Sequence, residues 1–250
     1  MMKSVEFKNV TLKYPKTDQT ILDNISFAIE PGQMIAIVGP SGIGKSTLFK
    51  SIVKNIIPIE GQILLNEKSI KELPEKDWRR LINEIGFLSQ KPNLIITESV
   101  YKNITHSVSQ YENKFYKLFS YLTVRQREEI FKTLDELDIL DKAFFRVSDL
   151  SGGQQQRVEI AKLLIKKSQI ILADEPTSNL DNSTSKDVLE LLQKIKQNQH
   201  STIIVNIHDL SLVHKYFDKV LALNNKQILF FENTKDVSLD KLQEAVKIHE

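Results

Sequence analysis

Residues 34–47 decide the fold that we expect, and they read Met34-Ile35-Ala36-Ile37-Val38-Gly39-Pro40-Ser41-Gly42-Ile43-Gly44-Lys45-Ser46-Thr47. The first five are an unbroken apolar run, which predicts a strand covered on both faces, as in a parallel sheet between helices. The next eight, Gly39 to Ser46, fit the pattern G-x-x-x-x-G-K-[ST], and after Thr47 the apolar residues Leu48, Ile52 and Val53 follow at helical spacing. A buried strand, a glycine-rich loop and a helix in this order predict an α/β core that binds phosphate groups.

Each residue type in this loop has a physical role in holding phosphate. Glycines let successive backbone N–H groups converge on phosphate oxygens, and the helix N-terminus adds partial positive charge. Lys45 can reach the β- and γ-phosphates of a nucleotide, and the Ser46 hydroxyl can ligate Mg²⁺. A plain glycine-rich turn is the alternative, which the preceding buried strand weakens. The candidate nucleotide-binding residues of the loop are Gly39, Pro40, Ser41, Gly42, Ile43, Gly44, Lys45, Ser46 and Thr47.

A second apolar run, Ile170-Ile171-Leu172-Ala173, ends in Asp174-Glu175. The carboxyl end of a strand in an α/β sheet faces the crevice where ligands bind, so these carboxylates would meet a metal-bound phosphate. Asp174 is the candidate Mg²⁺ ligand, and Glu175 is the candidate general base for an attacking water. A structural role at the strand end is the alternative, and the phosphate loop makes it weaker.

A third run, Leu150-Ser151-Gly152-Gly153-Gln154, opens a predicted helix that continues through Val158, Ala161, Leu164 and Ile165. Ser151 followed three residues later by Gln154 predicts a capping box. Gly152 and Gly153 each lower the helix propensity of the first turn by about 1 kcal/mol, so a merely capped helix does not explain them. Two glycines leave the N–H groups of the helix start open to an anion such as a γ-phosphate.

Other patterns complete the expected fold. Alternating apolar residues near the N-terminus predict antiparallel strands, at Val5, Phe7, Ile25, Phe27 and Ile29. Unbroken apolar runs at 203–205 and 220–223 predict further buried strands. Between Lys91 and Asp149 strand patterns are few, and helical spacing is shown by Ile130, Leu134 and Leu137. A short amphipathic helix is predicted near the C-terminus, at Leu239, Leu242, Ala245 and Val246.

The expected fold class is therefore α/β. We expect a P-loop NTPase (RecA-like) core with a mainly parallel sheet, an N-terminal antiparallel β subdomain and an inserted helical subdomain. One domain covers residues 1–250 in this interpretation. Within it, residues 1–90 and 151–231 form the core, residues 91–150 form the helical subdomain, and residues 232–250 hold a C-terminal helix.

Composition excludes several classes of function. The formal net charge of +2 is too small for a protein that wraps nucleic acid, so we expect no nucleic acid partner. Cysteine is absent, which excludes a disulfide framework and a thiolate metal site. The first residues lack the apolar segment of a signal peptide, and no uncharged apolar stretch reaches the roughly 18 to 20 residues that cross a bilayer. Any membrane role is expected to come from a partner.

With these motifs in order, the chain resembles the ATP-binding cassette (ABC) ATPases, whose signature looks like Leu150–Gln154. The resemblance implies further roles. Tyr14 would stack on adenine, and His208 would contact the γ-phosphate. Gln90 would contact Mg²⁺ and the attacking water, and would be the hinge to the helical insertion. Ser178-Asn179-Leu180-Asp181 resembles the loop that crosses the family's dimer interface, although alanine is more common than Asn179.

The resemblance also implies a head-to-tail dimer that clamps two ATP molecules with Mg²⁺. One subunit would hold the γ-phosphate with Lys45 and His208, its partner would hold it with Ser151 and Gly153, and Glu175 would activate water. Hydrolysis would remove these contacts and open the dimer. The implied site residues are Glu175, His208 and Gln90 for catalysis; Tyr14, Gly39 to Thr47, Ser151, Gly152, Gly153 and Gln154 for ATP; and Ser46, Gln90 and Asp174 for the metal.

A transport role follows from the same resemblance. Exporters usually carry a Gly-Glu-Arg-Gly stretch before the signature and are fused to membrane helices, whereas Phe145–Asp149 stands at that place here. The chain therefore looks like the detached cassette of an importer. We expect it to lie at the cytoplasmic face of the membrane on transmembrane permease subunits, with an extracytoplasmic solute-binding protein as an indirect partner.

Weaker signals concern the transported substrate. Residues 115–123, 143–158 and 205–210 resemble phosphonate-importer cassettes, while Lys162 departs from the more common arginine. The richness in Lys, Asn and Ile is typical of a small AT-rich bacterial genome, as in mollicutes, where such cassettes can serve other substrates such as thiamine derivatives. The aromatic residues Phe115, Tyr116, Phe119 and Tyr121 could contact the permease or form the core of the insertion.

Two other functions stay open from the sequence. One is an ABC ATPase of a membrane complex that imports nothing, of the cell-division or lipoprotein-release type. The other is a P-loop kinase, which would need an acceptor pocket instead of a dimerising signature.

Overall fold

The computed structural model describes residues 2–14, 19–90, 92–108, 122–178 and 181–247. Within these residues the strands are β1 (Val5–Lys13), β2 (Thr20–Ile29), β3 (Met34–Val38), β4 (Glu60–Leu65), β5 (Lys68–Ser69), β6 (Ile85–Ser89), β7 (Ile170–Asp174), β8 (Thr202–Asn206), β9 (Lys219–Asn224) and β10 (Gln227–Asn233). The helices of the same ranges are α1 (Lys45–Ile52), α2 (Glu75–Asn83), α3 (Val100–Thr105), α4 (Val124–Glu136), α5 (Gly152–Lys166), α6 (Asn182–Gln199), α7 (Val213–Tyr216) and α8 (Leu239–Ala245). Short 3₁₀ turns lie at Leu140–Lys142, Val147–Asp149, Leu210–Leu212 and Thr234–Asp236.

The central sheet has six strands in the order β10-β9-β3-β8-β7-β6. Its strands run parallel from β9 to β6, and β10 joins the edge antiparallel to β9. Every residue of β3 and of β8 is buried, which confirms the prediction drawn from their unbroken apolar runs. Because parallel strands point the same way, the segments that follow β3, β8, β7 and β6 all leave the sheet at one edge.

The sheet separates two hydrophobic cores, because successive side chains of a strand point to opposite faces. On β3, Met34, Ala36 and Val38 lie in one core with apolar residues of α5 and α6. Ile35 and Ile37 lie in the other core, which contains α1 and the N-terminal strands. Burial on both faces explains why this strand is apolar at every position.

A second sheet has four antiparallel strands in the order β2-β1-β4-β5. Phe7 of β1 lies opposite Phe27 of β2, and their rings stack with centroids 4.6 Å apart. The predicted antiparallel strands near the N-terminus are therefore confirmed. Together the two sheets and their helices confirm the predicted α/β fold class.

Between β6 and α5 the described chain forms α3, α4 and short turns. Ile130 and Leu134 on α4 are fully buried, and Leu137 follows as the C-cap, so the predicted helical spacing is confirmed. Thr123 and Gln126 form a capping box at the start of α4, a T-x-x-Q signal that sequence reasoning missed. The residues named above that lie outside the described ranges include Phe115, Tyr116, Phe119, Tyr121, Asn179 and Leu180.

The C-terminal helix α8 is tied to the end of β9. Asn224 Nδ2 donates hydrogen bonds to the carbonyl oxygens of Ala245 and Lys247, each at 3.1 Å. The predicted short amphipathic helix is confirmed, with Leu242 and Ala245 buried. None of the helices in the described ranges combines the length and the hydropathy needed to cross a membrane.

Candidate functional site

Four predicted site segments meet at the carboxyl edge of the central sheet. The phosphate loop follows β3, His208 follows β8 by two residues, Glu175 follows β7 directly, and Gln90 follows β6 directly. These four strands are neighbours in the order β3-β8-β7-β6. Parallel pairing thus brings together residues that lie more than 160 positions apart in the chain.

The phosphate loop leaves open backbone at the start of α1. Gly44 is the N-cap, with a left-handed backbone, and no side chain caps the helix. Gly42 has a φ of 80°, and a Cβ built there would meet no atom within 4 Å. The first N–H groups of an α-helix have no partner within the helix, so they are free to bind an anion. This loop therefore fits a phosphate group.

Lys45 lies folded over the same loop. Its Nζ donates hydrogen bonds to the carbonyl oxygens of Gly39, at 2.7 Å, and Pro40, at 3.0 Å. Burial lowers the pKa of the Lys45 ammonium, while the charges of Glu175 and Asp174 act in the opposite direction. Charge-assisted hydrogen bonds to phosphate are stronger than bonds to neutral carbonyls, so the ammonium can exchange these partners for a nucleotide.

Ser46 and Asp174 form the candidate metal site. Ser46 Oγ donates to Asp174 Oδ1 at 3.2 Å, and Asn206 Nδ2 donates to the same oxygen at 2.6 Å. Within the described ranges, no group of three or more His, Cys, Asp or Glu side chains could hold a metal ion. One hydroxyl and one oriented carboxylate fit Mg²⁺, which is held by few protein ligands and completes its shell with phosphates and water.

Asn206 is a site residue that sequence reasoning missed. It is fully buried at the end of β8, and the register places it opposite Asp174. Its amide holds the Asp174 carboxylate in one orientation, as the outer partners of metal ligands do. The available signal was an amide directly after the apolar run Ile203-Ile204-Val205.

Glu175 and His208 contact each other directly. His208 Nε2 lies 2.7 Å from Glu175 Oε1, and both side chains are partly exposed. The backbone of Glu175 is left-handed, with a φ of 51°, and its N–H donates to the carbonyl oxygen of Asn206 at 3.2 Å. A non-glycine residue in this conformation is strained, and such strain is concentrated at functional sites. An exposed carboxylate held by an imidazole can accept a proton from water.

Tyr14 and Gln90 lie at the margins of this edge. The Tyr14 hydroxyl lies 3.1 Å from Thr47 Oγ1, and the residue is 42% exposed. Lys50 Nζ lies 5.9 Å from the ring centroid. Gln90 is exposed. Their roles toward adenine and Mg²⁺ stay predictions, since both side chains are accessible but neither geometry is specific for a ligand.

The predicted capping box at the start of α5 is confirmed. The Gln154 N–H donates to Ser151 Oγ at 3.3 Å, and the Ser151 N–H donates to Gln154 Oε1 at 3.0 Å. A Cβ built at Gly152 would meet no atom within 4 Å, and one at Gly153 would lie 3.3 Å from Thr184 Cγ2. Among the residues that the structure describes, no hydrogen bond joins Ser151–Gln154 to the phosphate loop. This part of the predicted site is a separate, open helix start.

Gln156 connects α5 to the segment after Glu175, and sequence reasoning missed it. Its buried Nε2 donates to the carbonyl oxygen of Pro176 at 3.3 Å. Ser178 Oγ donates to the carbonyl oxygen of Glu175 at 3.0 Å. The signal was weak, because three consecutive glutamines on a helix do not reveal which of them faces inward.

Comparisons with known proteins identify the family of this chain. Residues 22–178 match the family model described as ABC transporter. The chain is 40% identical over 246 residues to the probable ABC transporter ATP-binding protein p29 of Mesomycoplasma hyorhinis, with 98% of each chain covered. It is 37% identical over 226 residues to the phosphonates import ATP-binding protein PhnC 1 of Halalkalibacterium halodurans, covering 90% of this chain and 88% of that one.

A solved structure extends the likeness to the fold. The dimeric ATP-binding cassette MJ0796, in a post-hydrolysis state bound to ADP and Pi, superposes with a TM-score of 0.78 and 28% sequence identity. The alignment covers 92% of this chain and 98% of that cassette. The similarity therefore extends over nearly the whole chain.

Proposed function

We propose that this chain, which belongs to the ABC transporter family of ATPases, is the ATP-hydrolysing subunit of an importer. In that role it powers uptake through a separate permease. Cassettes of this family bind and hydrolyse ATP, and they work as dimers on transmembrane subunits. The observation that carries the proposal is the edge of the central sheet, where four neighbouring strands bring the phosphate loop, His208, Glu175 and Gln90 together.

Residues of this chain account for the chemistry assigned to one subunit. The backbone of the phosphate loop and the Lys45 ammonium would hold the β- and γ-phosphates. Ser46 and Asp174 would hold Mg²⁺, which neutralises phosphate charge when it is bound. The Glu175 carboxylate would accept the proton of the attacking water, and His208 keeps that carboxylate oriented through their 2.7 Å hydrogen bond.

The second half of the site would come from a partner subunit. Ser151–Gln154 is an exposed helix start with an open surface at Gly152, and such a start binds anions. The MJ0796 cassette, which is similar over nearly the whole chain, is a dimer with ADP and Pi. We propose a head-to-tail homodimer in which this run contacts the γ-phosphate held by the other subunit.

The substrate class that we propose is a phosphonate or a phosphate ester. The 37% identity to PhnC 1 over 226 residues supports it, and the sequence likeness around residues 143–158 points the same way. In this proposal the cassette lies on the cytoplasmic face of its permease, and an extracytoplasmic solute-binding protein delivers the substrate. The cassette itself touches no substrate.

Glu175→Gln tests the catalytic part of the proposal. Losing the general base should lower ATP hydrolysis by about 100-fold or more. ATP that is bound but not hydrolysed should hold the dimer together. Light scattering after gel filtration with ATP and Mg²⁺ measures the molar mass and so distinguishes the dimer from the monomer. The matched control is Glu75→Gln on the exposed face of α2, which should change neither quantity. A Glu175→Gln protein that stays monomeric with ATP would contradict the dimer.

Reconstitution tests the importer part. The cassette, its co-encoded permease and the solute-binding protein are placed in liposomes, and ATP hydrolysis is measured with methylphosphonate or thiamine outside. Stimulation by methylphosphonate supports the proposal. Stimulation by thiamine alone would show that the substrate is a thiamine derivative and not a phosphonate. A permease that works without a solute-binding protein would favour a membrane complex that imports nothing.

A further inference from the structure

Two side chains of α5 hold both backbone polar groups of Asn93. The Asn93 N–H donates to Glu159 Oε1 at 2.7 Å, and Lys162 Nζ donates to the Asn93 carbonyl oxygen at 2.7 Å. Glu159 and Lys162 are three positions apart and so share one face of the helix. Asn93 lies only three residues after Gln90. We name Glu159, Lys162 and Asn93 the Asn93 clamp.

The environment of Glu159 favours a role beyond packing. Its side chain is only 3% exposed, on the inner face of α5. Burial raises the pKa of the Glu159 carboxyl to about 7. The hydrogen bonds from the Asn93 and Ser89 N–H groups and the charge of Lys162 act in the opposite direction and lower it. Ser89 and Asn93 flank Gln90 in the chain, so this one carboxyl faces the backbone on both sides of it. Burying a carboxyl costs free energy that an apolar residue would not.

A second anchor follows two residues later. The Ile95 N–H donates to Asn103 Oδ1 at 2.7 Å, and Asn103 Nδ2 donates to the carbonyl oxygens of Ile95, at 2.9 Å, and Ser99, at 3.1 Å. Asn103 belongs to α3 and is 1% exposed. The chain that follows Gln90 is thus attached first to α5 and then to α3.

We propose that the Asn93 clamp couples the two nucleotide half-sites of one subunit, with Glu159 and Lys162 as positioning residues for Gln90. α5 is one continuous helix of 15 residues that begins at the Ser151 cap. A displacement of its first turn by a partner-bound nucleotide is transmitted to Asn93, because both backbone groups of Asn93 are held. Gln90, three residues away, then moves relative to the metal site. The inference rests on the proposed roles of Gln90 and Ser151.

Lys162→Met tests the clamp, and Lys166→Met is its matched control. Lys166 lies one turn later, and its Nζ donates to the carbonyl oxygen of Ile85 in β6 at 2.6 Å. Burial lowers the pKa of both ammonium groups. The two variants therefore lose the same kind of bond, but only Lys162 holds Asn93.

The measurement is ATP hydrolysis by the full chain as a function of Mg²⁺ concentration. Lys162→Met should raise the half-saturating Mg²⁺ concentration by about 10-fold, as losses of the partners of metal ligands do. Lys166→Met should leave it within about 2-fold, and Lys162→Arg, which keeps a donor, should restore it. Equal effects of Lys162→Met and Lys166→Met, or no effect of Lys162→Met, would overturn the clamp.

Gln90→Ala separates the clamp from the function on which it rests. If the clamp acts through Gln90, then Lys162→Met introduced into the Gln90→Ala protein should change the half-saturating Mg²⁺ concentration by less than about 2-fold. The same shift in both backgrounds would overturn the positioning role. Absence of ATP hydrolysis in the unaltered chain would instead overturn the proposed function.

Hydrogen exchange gives a readout that does not need activity. Glu159→Leu removes the acceptor of the Asn93 N–H, so exchange in the peptide 90–96 should become about 10-fold faster or more. Glu159→Gln keeps an acceptor oxygen and should retain protection. Unchanged protection in Glu159→Leu would overturn the clamp.

Discussion

Glycines lie at the starts of two helices of this cassette: Gly44 is the N-cap of α1, at the end of the phosphate loop, and Gly152 and Gly153 are the first two residues of α5. At the first start, Gly39 has a φ of 153°, and a Cβ there would lie 2.3 Å from the carbonyl oxygen of Leu223. Gly44 has a φ of 115°, and its Cβ would lie 2.9 Å from the Ile21 side chain. At the second start, neither Gly152 nor Gly153 has a positive φ. A Cβ at Gly152 would meet no atom within 4 Å.

The difference shows which glycines the fold itself requires. Backbone conformation and close approach exclude side chains at Gly39 and Gly44, so these glycines would be needed even without a ligand. Nothing in the described part of this chain excludes a side chain at Gly152. Glycine at position 152 also lowers helix propensity, so the fold of the subunit does not explain its presence. We propose that the explanation is the nucleotide held by the partner subunit, whose phosphate needs an open helix start.

Gly39→Ala should have the largest effect on stability. The strained φ and the contact with the Leu223 backbone together should lower the free energy of unfolding by about 3 kcal/mol. Urea denaturation followed by circular dichroism measures this change. A loss below about 1 kcal/mol would mean that the loop can rearrange, and the contrast between the two helix starts would then fail.

A pH dependence should follow from the buried ionisable group on α5. Burial raises the folded-state pKa of Glu159 to about 7 from its usual 4.5, so the folded protein binds this proton more tightly than the unfolded chain. The stabilisation is complete below about pH 4.5 and is lost as pH rises through 7, with a ceiling of about 3 kcal/mol.

The matched protein for this prediction is Glu159→Gln, which does not titrate at that position. Between pH 4.5 and pH 8, the unfolding free energy of the unaltered chain should fall relative to that of Glu159→Gln by up to about 3 kcal/mol. Lys166 is present in both proteins, so its own titration largely cancels, whereas the charge of Glu159 raises the pKa of Lys162 only in the unaltered chain. A constant difference across this range would show that Glu159 titrates as an exposed carboxyl.

Gly152→Ala should have the smallest effect on stability, with the opposite sign to Gly39→Ala. Higher helix propensity should raise the free energy of unfolding by up to about 1 kcal/mol, since the new methyl group meets no atom. ATP-dependent dimerisation of the Glu175→Gln protein should nevertheless weaken by about 10-fold or more when Gly152→Ala is added, because the methyl group would occupy the anion site. Dimerisation at unchanged affinity would contradict the proposed ligand of this helix start.

Local sequence patterns predicted the elements well. Unbroken apolar runs identified β3, β7 and β9, and the spacing of Ser151 and Gln154 identified the capping box at the start of α5. These patterns succeed because strand burial and helix capping depend on neighbours a few residues away. The order of the motifs also indicated that their residues would face one crevice.

Contacts between distant segments could not be predicted in the same way. The bond from Asn206 to Asp174 spans 32 residues, and the bond from Asn93 to Glu159 spans 66. Each depends on the strand register or on the rotation of α5 about its axis, which no local pattern specifies. Sequence reasoning therefore identified Asp174 but missed the amide that orients it, and it noted Lys162 only as a departure from arginine.

The sequence by itself determined the α/β class, the phosphate loop, the acidic pair Asp174-Glu175 at the end of β7 and the capped start of α5, because each is encoded by residues that are adjacent along the chain or one helical turn apart. Only the tertiary structure decided that the glycines of the two helix starts differ, since Gly39 and Gly44 are confined by Leu223 and Ile21 whereas Gly152 is open. The hydrogen bonds between Asn93 and α5 are likewise visible only in the tertiary structure. The physical reason is that a Cβ contact or a buried hydrogen bond between segments exists only after strand register and helix packing have placed them together.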